Sequence, residues 1–231
     1  MFVFLPFAFG GNPASESGPR AICSFLQLEP KKYICIEQTS KESAQQYLKK
    51  VYDILCPLLK TEKKLIIIGG NHLSILPVYA YFYNYDSTVV TLDAHCDFYP
   101  EKGLNHANFM RYLNNKNNTS HYILGARENI QSINMYKHIK AVPINSFCEL
   151  YNTHRKPVNF LDIDLDVIDP EIFNWCGSPS DNGASIEEVL NVVNQYKKNN
   201  GTCLAISEYI PNFDTDNNGF KIIKMIVDAF V

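Results

Sequence analysis

The amino-acid sequence predicts an α/β protein in which a three-layer arrangement places a parallel sheet between helices. Two observations support this prediction: short apolar runs alternate with segments of helical periodicity, and the apolar runs are continuous rather than alternating with polar residues. Continuous apolar strands are typical of parallel sheets, because helices cover both faces of such a sheet. With 231 residues, of which 46% are hydrophobic, the chain is long enough to form one large domain, predicted to span residues 1–231.

Eight short segments predict the strands of this sheet. Each is rich in apolar or β-branched residues, which is typical of buried strands. In chain order they are FVFLPFAF at 2–9, KYICIE at 32–37, KLIIIGG at 64–70, STVVTLDAH at 87–95, HYILGAR at 121–127, AVPI at 141–144, NFLDIDLD at 159–166 and TCLAISEY at 202–209. The Gly/Pro/Ser-rich stretch at 10–19 predicts a loop after the first of them.

Four segments predict helices. They are residues 40–60, 71–83, a segment that begins at Ser185 and stops at Gly201, and 222–230. In the second, Pro77 predicts either a kink or a late start, because proline fits the first turn of a helix but not its interior. In the third, Ser185 and Glu188 have the spacing of a capping box, which marks the beginning of a helix.

Charge and composition argue against two classes of partner. The basic residues are scattered and the net charge is -3, so we expect no nucleic-acid-binding surface. No apolar run approaches the roughly 20 residues of a membrane span, and the run at 2–9 contains Pro6 and predicts a strand rather than a signal peptide. The seven cysteines are odd in number and lack CxxC spacing, which indicates reduced thiols in a cytoplasmic protein.

Side chains with metal-binding chemistry follow four of the predicted strands. They are Asn71 and His72 after the third, Asp93, His95 and Asp97 after the fourth, Asp162, Asp164 and Asp166 in the seventh, and Glu208 after the eighth. The carboxyl ends of parallel strands meet at one edge of a sheet, where ligands bind. Because residues two apart on a strand share a face, we expect each DxH or DxD motif to present its members together.

Electrostatics predict that this cluster holds two divalent cations. Several carboxylates within a few ångströms cannot all ionise without compensation. Two divalent ions would balance the four negative charges of the proposed carboxylate ligands, and oxygen and imidazole ligands without thiolate suit Mn²⁺. The proposed ligands are His72, Asp93, His95, Asp97, Asp164 and Asp166.

Each motif taken alone has an ordinary structural explanation. Aspartates often cap turns or helices, paired glycines form tight turns, and Glu208 could be a surface carboxylate. Cys96, between two proposed ligands, should point away from them and pack in the core. Four such motifs, each behind a buried strand, are much better explained by a metal site.

These motifs resemble the signatures of the ureohydrolase (arginase/agmatinase) family. The chain has GGNH at 69–72, DAHCD at 93–97, DIDLDVIDP at 162–170 and EYIP at 208–211, where the family has GGDH, DAHxD, SxDxDxxDP and ExNP. The resemblance implies an arginase-like parallel sheet and a binuclear manganese site. It also implies hydrolysis of a guanidinium group with release of urea, in an assembly that is often a homo-oligomer.

The resemblance also implies individual roles. His72 and Asp97 would bind one Mn²⁺, His95 and Asp166 the other, and Asp93 and Asp164 would contact both. The catalytic residues would be Asp97, His106 and Glu208, and the substrate-binding residues Glu208, His106 and Gly183. His106, whose alternative is a plain loop histidine, would relay protons at the cleft mouth, and Glu208 would pair with the guanidinium by charge-assisted hydrogen bonds.

The chain departs from the family pattern at four places. Asn71 replaces an aspartate, Asp162 replaces a serine and is not counted as a ligand, NHA at 105–107 replaces the family's SHG, and only eight residues separate Asp97 from His106. In enzymes that act on free arginine, that loop carries an asparagine and a serine that grip the α-carboxylate and α-amine, and this chain lacks that set. The departures favour a peptide arginase, which converts arginine side chains within a peptide to ornithine.

Other functions stay open at this point. The substrate could be a free small guanidine, either arginine or agmatine. The related deacetylase branch holds a single zinc, but His72 and Asp97 would complete a second metal site and argue against it. A non-catalytic scaffold with a degenerate site would have lost ligands, and all six are present.

Overall fold

Eight parallel strands form one sheet in this computed structural model. The structure describes residues 1–115, 117–153 and 157–231, and for residues 151–153 it describes only the backbone. The strands are β1 Phe2–Leu5, β2 Tyr33–Cys35, β3 Leu65–Gly69, β4 Thr88–Leu92, β5 Ser120–Leu124, β6 Ile139–Val142, β7 Val158–Asp164 and β8 Cys203–Ser207. Their order across the sheet is β2-β1-β3-β8-β7-β4-β5-β6. All eight predicted strands and the parallel arrangement are therefore confirmed.

Six α-helices occur in the described part of the chain. They are α1 Gly18–Leu26, α2 Ala44–Thr61, α3 Leu76–Phe82, α4 Phe147–Thr153, α5 Ile186–Lys198 and α6 Asn218–Phe230. The capping box of Ser185 and Glu188 is present at the start of α5. Pro77 lies in the first turn of α3, which follows a 3-10 turn at His72–Ile75, so proline delays the helix rather than kinking it.

Two helices were not predicted. Helix α1 begins with Gly18 and Pro19 at the end of the stretch predicted as a loop, and α4 has only seven residues. Proline is favoured in a first helical turn, so Pro19 is compatible with a helix start. A seven-residue helix is too short to display a clear helical period.

The two faces of the sheet contribute to separate apolar cores, which makes the architecture three-layered. Ile66 and Ile68 of β3 face a core that includes side chains of α1, α4, α5 and α6. Leu65 and Ile67 face the opposite core, which includes side chains of α2 and α3. This alternation follows from the period of two along a strand.

The strand order determines where the polar residues meet. Strands β3, β8, β7 and β4 are neighbours in that order, although they are far apart along the chain. These are the four strands that the predicted metal ligands and Glu208 end or follow. The carboxyl ends of these four strands therefore lie side by side in the middle of the sheet.

Within the part of the chain that the structure describes, we find no helix of the length and apolarity that a membrane span requires.

Candidate metal centre

Two groups of acidic and imidazole side chains could each hold a metal ion. The first consists of His72, Asp93 and Asp164, and the second of Asp93, His95 and Asp166. Within each group the candidate ligand atoms all lie within 4.8 Å of one another. Because Asp93 belongs to both groups, the geometry suits a pair of ions that share one carboxylate.

A tight turn after β3 delivers His72 to this cluster. A Cβ at Gly70 would lie 2.2 Å from the carbonyl oxygen of Phe7, so only glycine permits this approach of the two backbones. The Gly70 carbonyl in turn accepts the amide of Glu208, at 2.7 Å. The ends of β1, β3 and β8 are thereby held together around His72.

The Nδ1 atom of His72 faces three carboxylates. It lies 2.8 Å from Asp97 Oδ2, 3.2 Å from Asp164 Oδ2 and 3.3 Å from Asp93 Oδ2. This nitrogen is buried and has no hydrogen-bond partner in the described structure. A buried nitrogen without a partner, surrounded by carboxylates, is the donor arrangement that a divalent cation would satisfy. The residues present therefore fit a metal pair.

The second histidine has a similar environment. His95 Nδ1 lies 2.9 Å from Asp166 Oδ2 and 3.6 Å from Asp93 Oδ1. Although burial lowers the pKa of His95, hydrogen bonds and charges from Asp166 and Asp93 raise it to about 12. Asp166 also accepts the amide of Ala94, so it is held from two sides.

The carboxylates of the cluster repel one another, as the sequence predicts. Burial, followed by the charge of Asp93, raises the pKa of Asp97 to about 7. Burial and the charge of Asp166 raise the pKa of Asp164 well above its usual value. Asp93 differs, because the neighbouring imidazoles of His72 and His95 outweigh its burial and lower its pKa. Cations would replace protons in balancing these charges.

Asp162 lies behind His72 and belongs to neither group of candidate ligands. Its Oδ2 atom is 2.7 Å from His72 Nε2 and accepts a hydrogen bond from the Tyr79 hydroxyl at 2.5 Å. Asn71 points elsewhere, because its side-chain amide donates to the Phe9 carbonyl. The role of Tyr79 had no signal in the sequence, since it lies within a helix of ordinary apolar pattern.

A cavity of about 300 Å³ opens above the cluster and is lined by all three predicted catalytic residues, Asp97, His106 and Glu208. None of the three belongs to either group of candidate ligands, although Asp97 was also predicted as a ligand. The Oε1 atom of Glu208 accepts the His72 amide at 2.7 Å. Glu208 and Asp97 both have positive φ, +72° and +51°, a conformation uncommon for residues other than glycine and often found at functional sites. His106 lines the same cavity, with Nδ1 against the carbonyl oxygen of Gly10.

Gly183 is not brought to this cleft. It lines a separate cavity, and its amide donates to Asp169 Oδ2 at 3.0 Å. A Cβ on Gly183 would lie 2.3 Å from the backbone nitrogen of Asp169, so close packing explains the glycine. Its substrate-binding role stays a prediction that this placement does not support.

The cleft contains residues that sequence reasoning missed. They are Tyr99, Ala107, Glu128, Ser178 and Pro179. Glu128 is half exposed, and its Oε2 atom is 3.6 Å from His95 Nε2. Its position shortly after β5, which neighbours β4, was the available signal, because the end of that strand also lies at the carboxyl edge.

The fold and the site together define a class: a three-layer α/β protein with a candidate site for paired metal ions at the carboxyl edge of its parallel sheet. The chain belongs to the arginase family, whose family model matches residues 9–230.

Individual relatives and solved structures are consistent with this membership. An agmatinase of Blochmanniella floridana is 26% identical over 170 residues, which cover 68% of this chain and 56% of that protein, so the match spans little more than half of the curated relative. Proclavaminate amidino hydrolase from Streptomyces clavuligerus is 20% identical with a TM-score of 0.81, covering 99% of this chain and 89% of that one. Arginase from Bacillus subtilis is 20% identical with a TM-score of 0.78, covering 99% and 96%. Likeness at these identities supports the fold.

Proposed function

We propose that the protein is a manganese-dependent ureohydrolase that acts on arginine side chains within a peptide, releases urea and leaves ornithine. One observation carries this proposal: the cleft above the metal groups is lined by carboxylates, and no lysine or arginine lines it among the described residues. Such a lining suits a cationic guanidinium. In the described part of the chain it offers no lysine or arginine to the α-carboxylate of a free amino acid.

Glu208 is the residue best placed to bind the guanidinium. Its Oε1 atom is occupied by the His72 amide, whereas Oε2 has no hydrogen bond from a described residue and is available to substrate. Burial raises the pKa of Glu208 to about 8, and a bound guanidinium or nearby cations would favour its ionised form. A charge-assisted hydrogen bond then orients the guanidinium carbon over the metal groups.

The donor set supports two Mn²⁺ ions. It consists of carboxylates and imidazoles without a thiolate, and Asp93 is shared between the two groups. Bound divalent ions supply an acidified water for attack and polarise the group that is attacked. The shared carboxylate argues against a single-zinc amidohydrolase of the deacetylase type.

Asp97 and His106 are placed to handle the proton that the leaving amine requires. Both line the cleft that contains Glu208, so a substrate held there lies within their reach. Asp97 sits at the cluster and His106 nearer the surface, which suits a path from the reaction centre toward solvent. Proton transfer by positioned side chains typically contributes a factor of about 10² to 10⁴.

The loop between Asp97 and His106 supports a substrate without free α-groups. Its one asparagine, Asn105, uses both ends of its side chain within the protein: Nδ2 donates to Glu101 and Oδ1 accepts the Ala107 amide. It is therefore committed to the loop rather than free to grip an amino acid. An arginine within a peptide does not need such contacts.

Agmatine is the second candidate, and Glu128 is the observation that favours it. Agmatine also lacks an α-carboxylate, and its terminal ammonium would suit a half-exposed carboxylate in the cleft. The curated relative is named agmatinase, and one of the similar structures, at a TM-score of 0.82, is named agmatine ureohydrolase.

The cytoplasm stays the proposed location, because all seven cysteines are free thiols.

A substrate comparison tests the proposal. The Mn²⁺-loaded protein is incubated with an arginine-containing peptide, the same peptide with lysine in place of arginine, agmatine and free arginine. We expect urea with the arginine peptide alone, and mass spectrometry should find ornithine in it. Urea from agmatine but not from the peptide would select the second candidate. Metal analysis of the same sample should find two manganese ions per chain, and one zinc would contradict the proposed chemistry.

A further inference from the structure

A row of polar side chains lies behind the metal groups, buried between α3 and the sheet. It consists of Asp162, Tyr79, Thr91, His121 and Tyr83, and we call it the buried row. Successive contacts join Asp162 Oδ2 to the Tyr79 hydroxyl at 2.5 Å, that hydroxyl to Thr91 Oγ1 at 2.5 Å, Thr91 Oγ1 to His121 Nε2 at 2.8 Å, and His121 Nδ1 to the Tyr83 hydroxyl at 2.8 Å. Every member is at most 2% exposed.

The carboxylate at one end gives the buried row a single donor direction. An ionised carboxylate only accepts, so the Tyr79 hydroxyl donates to Asp162 and must itself accept from Thr91. Thr91 then accepts from His121 Nε2–H, and His121 Nδ1 accepts from the Tyr83 hydroxyl. Burial lowers the pKa of His121 to about 3, so its ring is neutral and can act as donor and acceptor at once.

The same carboxylate faces His72. Asp162 Oδ2 lies 2.7 Å from His72 Nε2, so this nitrogen carries the proton and donates it. A histidine that binds a metal must be neutral. The lone pair of that ring would then be on Nδ1, the atom that faces Asp93, Asp97 and Asp164 without a hydrogen-bond partner. Partners of this kind orient a ligating histidine and strengthen it as a metal ligand.

We propose that Asp162 is a positioning residue, held by Tyr79, that fixes the ring of His72 with Nδ1 toward the metal pair. Asn71, which directly precedes His72, cannot hold the ring in this way, because its side-chain amide donates to the Phe9 carbonyl. The inference rests on the proposed metal site. It predicts that the affinity for one ion of the pair, the one held by His72, depends on Asp162.

The test measures Mn²⁺ binding rather than turnover. Mn²⁺ is titrated into the metal-free wild type and into Asp162→Asn, Tyr79→Phe and Tyr83→Phe by calorimetry, and each sample is followed by electron paramagnetic resonance. For Asp162→Asn we expect the ion at His72 to bind roughly 10- to 100-fold more weakly, while the ion at His95 keeps its affinity. The spectrum should change from that of a coupled pair to that of a single Mn²⁺.

The two tyrosine variants separate positioning from general destabilisation. Tyr79→Phe removes the hydroxyl that holds Asp162 and should weaken the same ion by a smaller factor. Tyr83→Phe is the matched control: it removes a hydroxyl at the far end of the buried row, so it should lower thermal stability and leave Mn²⁺ affinity unchanged. If Asp162→Asn does not fold, Tyr79→Phe decides the question.

Equal affinity of both ions in wild type and Asp162→Asn would overturn the inference, as would equal weakening of both ions in all three variants. Urea release is measured separately on the wild type. A chain that binds two Mn²⁺ ions but releases no urea from any guanidine would count against the proposed reaction and leave the binding comparison intact.

Discussion

Replacing Glu208 with glutamine tests whether this carboxylate binds the guanidinium. Glutamine can keep the contact with the His72 amide, because its carbonyl oxygen can accept where Oε1 accepts at 2.7 Å. The position of Oε2 would then be occupied by an amide NH₂, which cannot accept a hydrogen bond from the substrate. The Glu208→Gln substitution therefore removes the substrate contact and keeps the hydrogen bond from the His72 backbone amide.

The expected loss follows from that one contact. A hydrogen bond to a charged group contributes about 1.5–3 kcal/mol, and about 1.4 kcal/mol corresponds to a factor of ten, so kcat/KM should fall roughly 10- to 150-fold. The assay is urea release by the Mn²⁺-loaded variant from the wild type's best substrate. Glu171→Gln, which changes an exposed carboxylate outside the cleft, is the control and should behave as wild type.

A change in kcat/KM of less than about threefold for Glu208→Gln, in a variant with wild-type thermal stability and two bound ions, would refute the reasoning. The guanidinium would then be held by the cluster carboxylates themselves.

Three further predictions concern residues at different distances from the metals. The pKa of His121 is near 6.5 in the unfolded chain and about 3 in the folded chain. The free energy of unfolding should therefore fall by about 1.4 kcal/mol for each unit by which the pH drops below 6.5. In denaturant titrations with a chelator present, His121→Gln should remove this slope. His106→Asn should lower kcat for urea release by about 10²-fold, with partial recovery on adding imidazole, because the proton path is lost. Gly183→Ala should cost about 1–3 kcal/mol of stability, measured by thermal unfolding, because its Cβ meets the Asp169 backbone at 2.3 Å.

For each of these three predictions, one result would contradict the reasoning behind it. A His121→Gln chain with the wild-type pH slope would mean that other groups cause the acid sensitivity. Wild-type kcat in His106→Asn would leave His106 a loop residue that only contacts Gly10. Reduced urea release by Gly183→Ala without a loss of stability would return Gly183 to the substrate site.

Strand content and the candidate metal-binding residues could be predicted from the sequence because both are local properties. Eight continuous apolar runs identify buried strands, and the acidic motifs could be placed because DAHCD directly follows β4 and DIDLD crosses the end of β7. Helices α1 and α4 escaped prediction, since one starts in a loop-like stretch and the other is shorter than two full helical repeats. The site edge and its acidic and imidazole residues could be placed, but the rest of the cleft lining could not, and Glu128 was missed for that reason.

The sequence by itself determined the chemistry of the candidate site: which donors are present, that their negative charges repel one another, and at which end of the sheet they emerge. Only the tertiary structure decided how they are paired. His72 meets Asp162 across 90 residues of chain and its amide meets Glu208 across 136, because β3, β8 and β7 are neighbours in the sheet. Strand order depends on how long-range packing covers both faces of the sheet, and a local pattern of residues carries no information about it.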